Sequence, residues 1–365
     1  MRTLLRERFD RNLGILLRQY DVDGKIQYAV VNKKPDSKND SAFEMPIYAH
    51  ICITDRCNLS CPYCYANDLN SRNGNMSKDS VLGLLEILNA VNIFAITWTG
   101  GEPFCHPSIQ TFVEKAYSYS IPQTILTNGT CIPDEFIKNG PHKFMLYQFS
   151  LNNAYSFSTY DIQCHNAIYN NIRICNAEKI DNILTIILEP QDINSIDQLI
   201  RELIENDIHK VRFGYYMPVG QKPLNFNNYF RSLSRSIPDY ITVRNLYRDQ
   251  IDIYYQFDSL SGINPFIPSR FSMCEAGTTL LYIDNDGESY PCPLFKSDSS
   301  FRCGNIFNSS IEEIWNAEPM NSLRNIRACP NCSDLCKGWC RAIKYFSEKT
   351  IYGVGTACRK KLEIN

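Results

Sequence analysis

Six short apolar runs, each followed by a stretch with helical spacing or a loop leading to one, constrain this chain more than any other feature. The runs are AHICIT (49–54), IFAITW (93–98), QTILT (123–127), LYQFSL (146–151), ILTIIL (183–188) and KVRFGYY (210–216). Between the first two, Val81, Leu84, Leu85, Leu88 and Val91 recur at helical spacing. Ser77 is placed as their N-cap, with Met76 and Val81 as the two ends of a hydrophobic staple. Ile109, Phe112, Val113, Ala116 and Tyr117 form a second stripe, and Ile196, Leu199, Ile200, Leu203 and Ile204 a third. Parallel neighbours need a crossover, which a helix supplies. The pattern therefore predicts an α/β fold on a parallel sheet. Six units are too few to close an eight-fold barrel, so a curved partial (β/α)6 barrel over residues 48–218 is expected.

Around that barrel the chain divides into an N-terminal extension (1–47), a bridging segment (219–272) that reads as less regular, and a cysteine-rich C-terminal segment (273–365). KIQYAVV after DVDG suggests a short strand following a turn, half of a hairpin. NKKPDSKNDS reads as an exposed loop.

The formal net charge of −2 gives no basic face for nucleic acid. No run approaches the roughly eighteen apolar residues of a membrane span. The start, MRTLLRERFDRNLG, is charged throughout and lacks the apolar centre of a secretory signal. A cytoplasmic location is expected, and there sixteen cysteines are poor disulfide formers. They are better metal ligands or small buried apolar groups.

The first concentration is TDRCNLSCPYCYA (54–66), directly after the first strand. Cys57, Cys61 and Cys64 can hold three irons of a 4Fe–4S cubane, leaving the fourth open to a small molecule. The alternatives are a zinc site, which wants a fourth ligand that this loop does not offer, or three inert thiols. The C-x-x-x-C-x-x-C spacing after the first strand of a partial barrel resembles the radical S-adenosylmethionine (radical SAM) superfamily. The likeness continues through TGGEP (99–103), LTNGT (126–130), FSLN (149–152) and MPVG (217–220), each similar in place and order to that family's cofactor-lining segments. It implies that Gly100, Gly101 and Glu102 grip the amino group of S-adenosylmethionine. It further implies that Asn128 and Ser150 line the ribose or carboxylate, and that Tyr63 presents backbone to the adenine. Family members often set an arginine near the fourth strand against the carboxylate. None occurs here between Arg72 and Arg173, which leaves Arg173 or Arg212 as substitutes.

The second concentration runs CEAGTTLLYIDNDGESYPC, RCGNIFNSSIEEIWN, CPNCSDLCKGWC and TAC. It resembles the SPASM extension, through Gly287 four residues ahead of Cys292, the GNI segment leading to Trp315, the dense cysteine run and a late cysteine. By that resemblance Cys274, Cys292 and Cys340 bind a first auxiliary 4Fe–4S cluster. Cys329, Cys332, Cys336 and Cys358 bind a second, for three clusters in all. Cys303 either supplies a further ligand to the first or is a buried thiol. A four-cysteine zinc knuckle at CPNCSDLCKGWC is the competing reading. Cys52 is expected in the core; Cys105, Cys131, Cys164 and Cys175 lack partners in sequence and read as structural.

The chemistry implied is reductive cleavage of S-adenosylmethionine to a 5′-deoxyadenosyl radical that takes hydrogen from the substrate. SPASM enzymes most often act on peptides, so cross-linking or dehydrogenation of a ribosomally made peptide is the first expectation. Partners would be that peptide, a flavodoxin- or ferredoxin-type reductant and a separate leader-binding protein, because the segment before the barrel is short. NAYSFSTY (153–160) is a candidate lining for a peptide groove. The alternatives are oxidation of a sugar-derived small molecule, and an electron-transfer or zinc-bound scaffold without such chemistry.

Overall fold

The structure is a computed structural model, and it describes residues 2–32, 42–61, 64, 74–151, 154, 159–217, 226–255, 274–326 and 340–353. It opens with a three-stranded antiparallel sheet, β1 (Arg2–Asp10), β2 (Ile15–Val22) and β3 (Lys25–Asn32), in that order. The expected half-hairpin is thus the third strand of a sheet. Asp23 and Gly24, with φ of 51° and 85°, make the two-residue turn between β2 and β3, where left-handed backbone matches the strand twist. β1 escaped notice because RTLLRERFD spends its polar residues on both faces; buried Arg6 donates to the Tyr119 carbonyl.

The main sheet has ten described strands, in the order β10-β9-β8-β7-β6-β5-β4-β11-β12-β13. All six expected strands are present: β4 (Tyr48–Thr54), β5 (Ala95–Gly100), β6 (Gln123–Thr127), β7 (Met145–Leu151), β8 (Asp181–Ile187) and β9 (Lys210–Gly214). Each is parallel to its neighbours. Among the described residues the sheet is open, with β10 and β13 at its edges.

The crossovers are α1 (Lys78–Ala90), α2 (Ile109–Ser118), α3 (Asp134–Asn139), α4 (Thr159–Ala177) and α5 (Ile193–Glu205). Ser77 caps α1, accepting from the Ser80 N–H at 3.1 Å, and Met76 and Val81 are both buried beside it. Val81, Leu84, Leu85 and Leu88 pack with Ile51, Ile96 and Trp98 in one core. Each such side chain contributes roughly 1.5–3 kcal/mol on burial.

Residues 226–255 differ from the less regular bridge expected. They form α6 (Phe226–Tyr247) and β10 (Asp252–Tyr255), a seventh unit parallel to β9. Pro238 inside the helix and the four-residue strand weaken the pattern that reveals the other units.

On the opposite side, β11 (Leu280–Ile283) pairs parallel with β4 and antiparallel with β12 (Glu288–Tyr290), which pairs with β13 (Gly304–Asn305). The C-terminal segment is therefore hydrogen-bonded into the barrel sheet. Three short helices follow, α7 (Ile311–Trp315), α8 (Glu318–Arg324) and α9 (Arg341–Glu348). The Trp315 indole N–H donates to the Phe43 carbonyl at 2.8 Å, tying this segment to the start of the barrel. No helix among the described residues is long and apolar enough to cross a membrane.

Candidate active site

The loop that carries the cysteine triplet leaves β4 at Thr54. Its first residues are fixed by a dense set of polar contacts: the Thr54 hydroxyl donates to Asn75 Oδ1 at 2.6 Å and accepts the Arg56 N–H at 3.0 Å. The Asp55 N–H reaches the Gly74 carbonyl at 2.9 Å.

Gly100 and Gly101 then pass directly beneath. The Gly101 N–H donates to the Thr54 carbonyl at 2.7 Å and the Glu102 N–H to the Arg56 carbonyl at 2.8 Å. A Cβ on Gly100 would lie 2.2 Å from the Thr54 carbonyl oxygen, and one on Gly101 2.3 Å from that of Arg56. Gly100 also has φ of 148°, a value that L side chains rarely adopt. The glycine pair is thus demanded by the backbone of the cysteine loop itself.

Glu102 is 1 % exposed. Its Oε1 accepts the Thr127 hydroxyl at 2.8 Å and the Phe104 N–H at 3.2 Å, while Oε2 accepts the Asn128 N–H at 2.7 Å. Burial outweighs these bonds and pushes the carboxyl up to about 7. Asn128 in turn spans the site: its amide donates to Asn58 Oδ1 at 2.8 Å and reaches Cys57 Sγ at 3.7 Å. Asn58 closes the ring by donating to Thr130 Oγ1 at 2.8 Å.

The structure thus brings together Cys57, Gly100, Gly101, Glu102 and Asn128 in one hydrogen-bonded unit. Cys57 is exposed, and Cys61 and Cys64 are half-buried, joined by a bond from the Cys64 N–H to the Cys61 carbonyl at 3.2 Å. Ser150 lies on the inner face of β7, between Phe149 and Leu151, which point to the helical layer. Tyr63 and Asn152 lie outside the described residues, as does most of 153–160.

Of the two arginines left as substitutes, Arg173 is on the outside of α4, donating to Asn206 Oδ1 at 2.6 Å. Arg212 faces the barrel interior from β9.

Sequence reasoning missed three polar groups of this unit: Asn58, Thr54 and Thr127. All three lie inside the motif segments, but their roles show only when loops 21 to 70 residues apart are traced into contact. Cys105 and Cys131, which lack partners in sequence, are neighbours near Glu102, and burial together with these groups pushes Cys131 up to about 12. His106 is a structural residue, its ring bonded to the Met76 carbonyl at 2.9 Å and packed on Phe112. Cys52 lies in an apolar cluster, as expected.

In the C-terminal segment, Cys274, Cys292 and Cys340 stand against one another in the apolar cluster that also contains Tyr282, Phe295 and Ala342. Burial and the neighbouring thiols push Cys292 well above its ordinary value, and burial pushes Cys340 up to about 12. Cys303 stays apart, its thiol donating to the Phe301 carbonyl at 3.4 Å. Cys329, Cys332, Cys336 and Cys358 lie outside the described residues.

Among the described residues no three of His, Cys, Asp or Glu stand close enough to hold a single metal ion. A cubane gives each thiolate a separate iron, so its ligands stand farther apart than those of one ion. The two sulfur trios suit it by donor type.

A bridge joins the two regions. Lys296, two-thirds or more buried, contacts Asp55 at 3.2 Å and Asn285 at 3.4 Å, beside the cysteine loop.

Comparison with known proteins agrees with this geometry. Residues 51–203 match the model of the radical SAM superfamily, and residues 274–337 match that of SPASM, an iron–sulfur cluster-binding domain. The mycofactocin maturase MftC of Mycolicibacterium smegmatis is 23% identical over 87% of this chain and 84% of its own. The subtilosin biosynthesis protein AlbA of Bacillus subtilis is 24% identical over 82% of this chain and 66% of its own. Among solved structures, Streptococcus suis SuiB bound to its precursor peptide SuiA superposes with a TM-score of 0.71 at 18% identity, covering 98% of this chain and 100% of that one.

Proposed function

We propose, for a chain that belongs to the radical SAM superfamily and carries a SPASM iron–sulfur domain, oxidative modification of a ribosomally made peptide, as a cross-link or a dehydrogenated side chain. The observation that carries this reading is the ring of bonds joining Cys57, Asn128 and Glu102 across three separate loops. The cofactors are S-adenosylmethionine and 4Fe–4S clusters. When bound, they supply reductive cleavage of a sulfonium and removal of one hydrogen atom from an unreactive C–H.

The residues present fit these groups. Cys57, Cys61 and Cys64 offer three thiols on one loop, leaving one iron for the ligand. Glu102 Oε2 takes one bond, from the Asn128 N–H, and keeps acceptor capacity with which an ionised carboxylate can pair an ammonium. Asn128 couples ligand to cluster loop: its N–H orients Glu102 while its side chain holds Asn58 and Cys57. Ser150 lines the same interior, and Tyr63 is assigned to the adenine. Cys274, Cys292 and Cys340 would hold one auxiliary cluster and Cys329, Cys332, Cys336 and Cys358 the other, giving three.

The peptide assignment is supported by the maturases among the relatives and by the precursor-peptide complex of SuiB. A flavodoxin- or ferredoxin-type reductant and a separate leader-binding protein complete the system, in the cytoplasm.

The test is anaerobic reconstitution with reductant, S-adenosylmethionine and a short peptide encoded beside the gene. A peptide lighter by a pair of hydrogens, with 5′-deoxyadenosine released, supports the proposal. Nucleoside release that converts only a sugar-derived small molecule overturns the peptide assignment. Absence of nucleoside overturns the enzyme itself.

A further inference from the structure

A row of polar side chains crosses the inner face of the sheet at one level. Ser150 on β7 is in register with Thr185 on β8, and Thr185 with Arg212 on β9. Each lies between two residues of the helix-facing core: Phe149 and Leu151, Leu184 and Ile186, Val211 and Phe213. The period-two alternation of a strand therefore sends all three into the barrel.

Arg212 stands out within this row. Among the described residues no hydrogen bond or ion pair takes its guanidinium. Lys210, two residues earlier on the same face, is by contrast paired with Asp181 at 3.7 Å. Glu275 acts on Arg212 as an opposing charge. Burial is strong enough to lower the guanidinium from its ordinary value. Beside it the Thr185 hydroxyl is buried and has no partner among the described residues. The cavity of about 820 Å³ on this face lies toward the N-terminal ends of the strands, lined by Lys210, Asp181 and the β2–β3 turn, and Arg212 and Thr185 stand outside its lining.

The Arg212 guanidinium is half-buried and its N–H donors take no partner among the described residues, so they are available to a ligand. Its planar fork matches a carboxylate bidentately, and the adjacent hydroxyl adds a third donor. Arg212 is two strands on from Ser150, roughly 10 Å at ordinary strand spacing, and so stands away from the Glu102 loop.

We propose that Arg212, assisted by the Thr185 hydroxyl, binds a carboxylate of the peptide substrate and so sets which peptides enter. This rests on the peptide reading given above. The carboxylate comes from an acidic side chain or from the peptide's own C-terminus, and the experiment separates the two.

Four pools of synthetic pentapeptides are incubated with the anaerobically reconstituted enzyme and S-adenosylmethionine. They carry one Glu or one Gln, each with a free or an amidated C-terminus. Retained peptide is measured by rapid gel filtration and mass analysis, alongside retained S-adenosylmethionine and iron content. The expected result is a preference of about tenfold, the size of one charge-assisted pair, for Glu over Gln or for free over amidated ends. That preference falls to near unity in Arg212→Gln and Thr185→Val weakens it by a few-fold. Arg212→Lys keeps a part, since the charge survives without the fork. Iron content equal to the parent's certifies that the variants fold.

Equal retention of charged and neutral pools, or a preference that survives Arg212→Gln, overturns the inference. So does loss of S-adenosylmethionine with the peptide preference intact, which would assign Arg212 to the cofactor. Retention of none of the pools overturns the peptide reading, and this inference with it.

Discussion

The two described groups of cysteines are held in opposite ways. Cys57, Cys61 and Cys64 lie on a loop at the open end of the barrel, positioned by polar bonds from Asn128, Thr54 and the glycine pair below. Cys274, Cys292 and Cys340 sit in an apolar cluster with Tyr282, Phe295 and Ala342 around them. A loop held by directional bonds can keep a metal centre exposed on one side, where a ligand must reach it. A trio wrapped in hydrocarbon excludes water and suits a centre that passes electrons or stabilises the fold. The difference lies in the surroundings, since the donor atoms are the same.

That contrast breaks if the loop cysteines prove dispensable. Cys57→Ala, Cys61→Ala or Cys64→Ala should abolish 5′-deoxyadenosine release, a loss of at least about a thousandfold for a step the cofactor alone provides. Cys292→Ala should behave differently. Iron content should fall by one cluster and the melting temperature should drop, because the residue is buried in a packed cluster. Some uncoupled nucleoside release should persist. If Cys292→Ala instead removed all nucleoside release while Cys57→Ala kept it, the roles would be reversed.

Gly101→Ala sharpens the same division. The added methyl would meet the Arg56 carbonyl at 2.3 Å, so the cysteine loop must shift. Iron at the loop site should be lost selectively, read by electron paramagnetic resonance, while the auxiliary signals remain.

The Glu102 site adds a pH signature that the apolar trio lacks. Burial lifts the carboxyl to about 7, and only the ionised form pairs with an ammonium. Affinity for S-adenosylmethionine should therefore weaken about tenfold per unit as pH falls below about 7. Glu102→Gln should bind weakly and lose that pH dependence. The folded apo-protein shows the opposite sign: a carboxyl raised by folding gives stability that is present at low pH and is lost as pH rises through about 7. Equilibrium dialysis and thermal melts across this range check both. The smallest effect is expected for Lys296→Ala, which cuts the bridge from the C-terminal segment to Asp55. A partly buried pair of this kind is worth about 1 kcal/mol, a shift of roughly 1–2 °C in a chain of 365 residues.

Much of the barrel could be read directly from the sequence. Strands β4 to β9 are apolar runs buried on their helix-facing side, and α1, α2 and α5 carry long apolar stripes. Residues of low contrast were not legible. β1 mixes Arg6 and Arg8 into a strand whose charges are satisfied by distant carbonyls. α6 is interrupted by Pro238. For the site, contiguous motifs gave Cys57, Cys61, Cys64 and Glu102. Asn58 and the Cys105–Cys131 contact depend on chain crossings that no local pattern encodes. The glycine pair, which the resemblance assigns to the amino group of S-adenosylmethionine, also makes room for the cysteine loop.

The most direct measurement is iron content with low-temperature electron paramagnetic resonance on anaerobically reconstituted protein, before and after adding S-adenosylmethionine. Three clusters predict about twelve irons per chain. One reduced-cluster signal should shift on adding the ligand and be missing from the Cys57→Ala/Cys61→Ala/Cys64→Ala variant. A full iron complement in that variant, or spectra unmoved by S-adenosylmethionine, would contradict the assignment of an open metal centre at the mouth of the barrel.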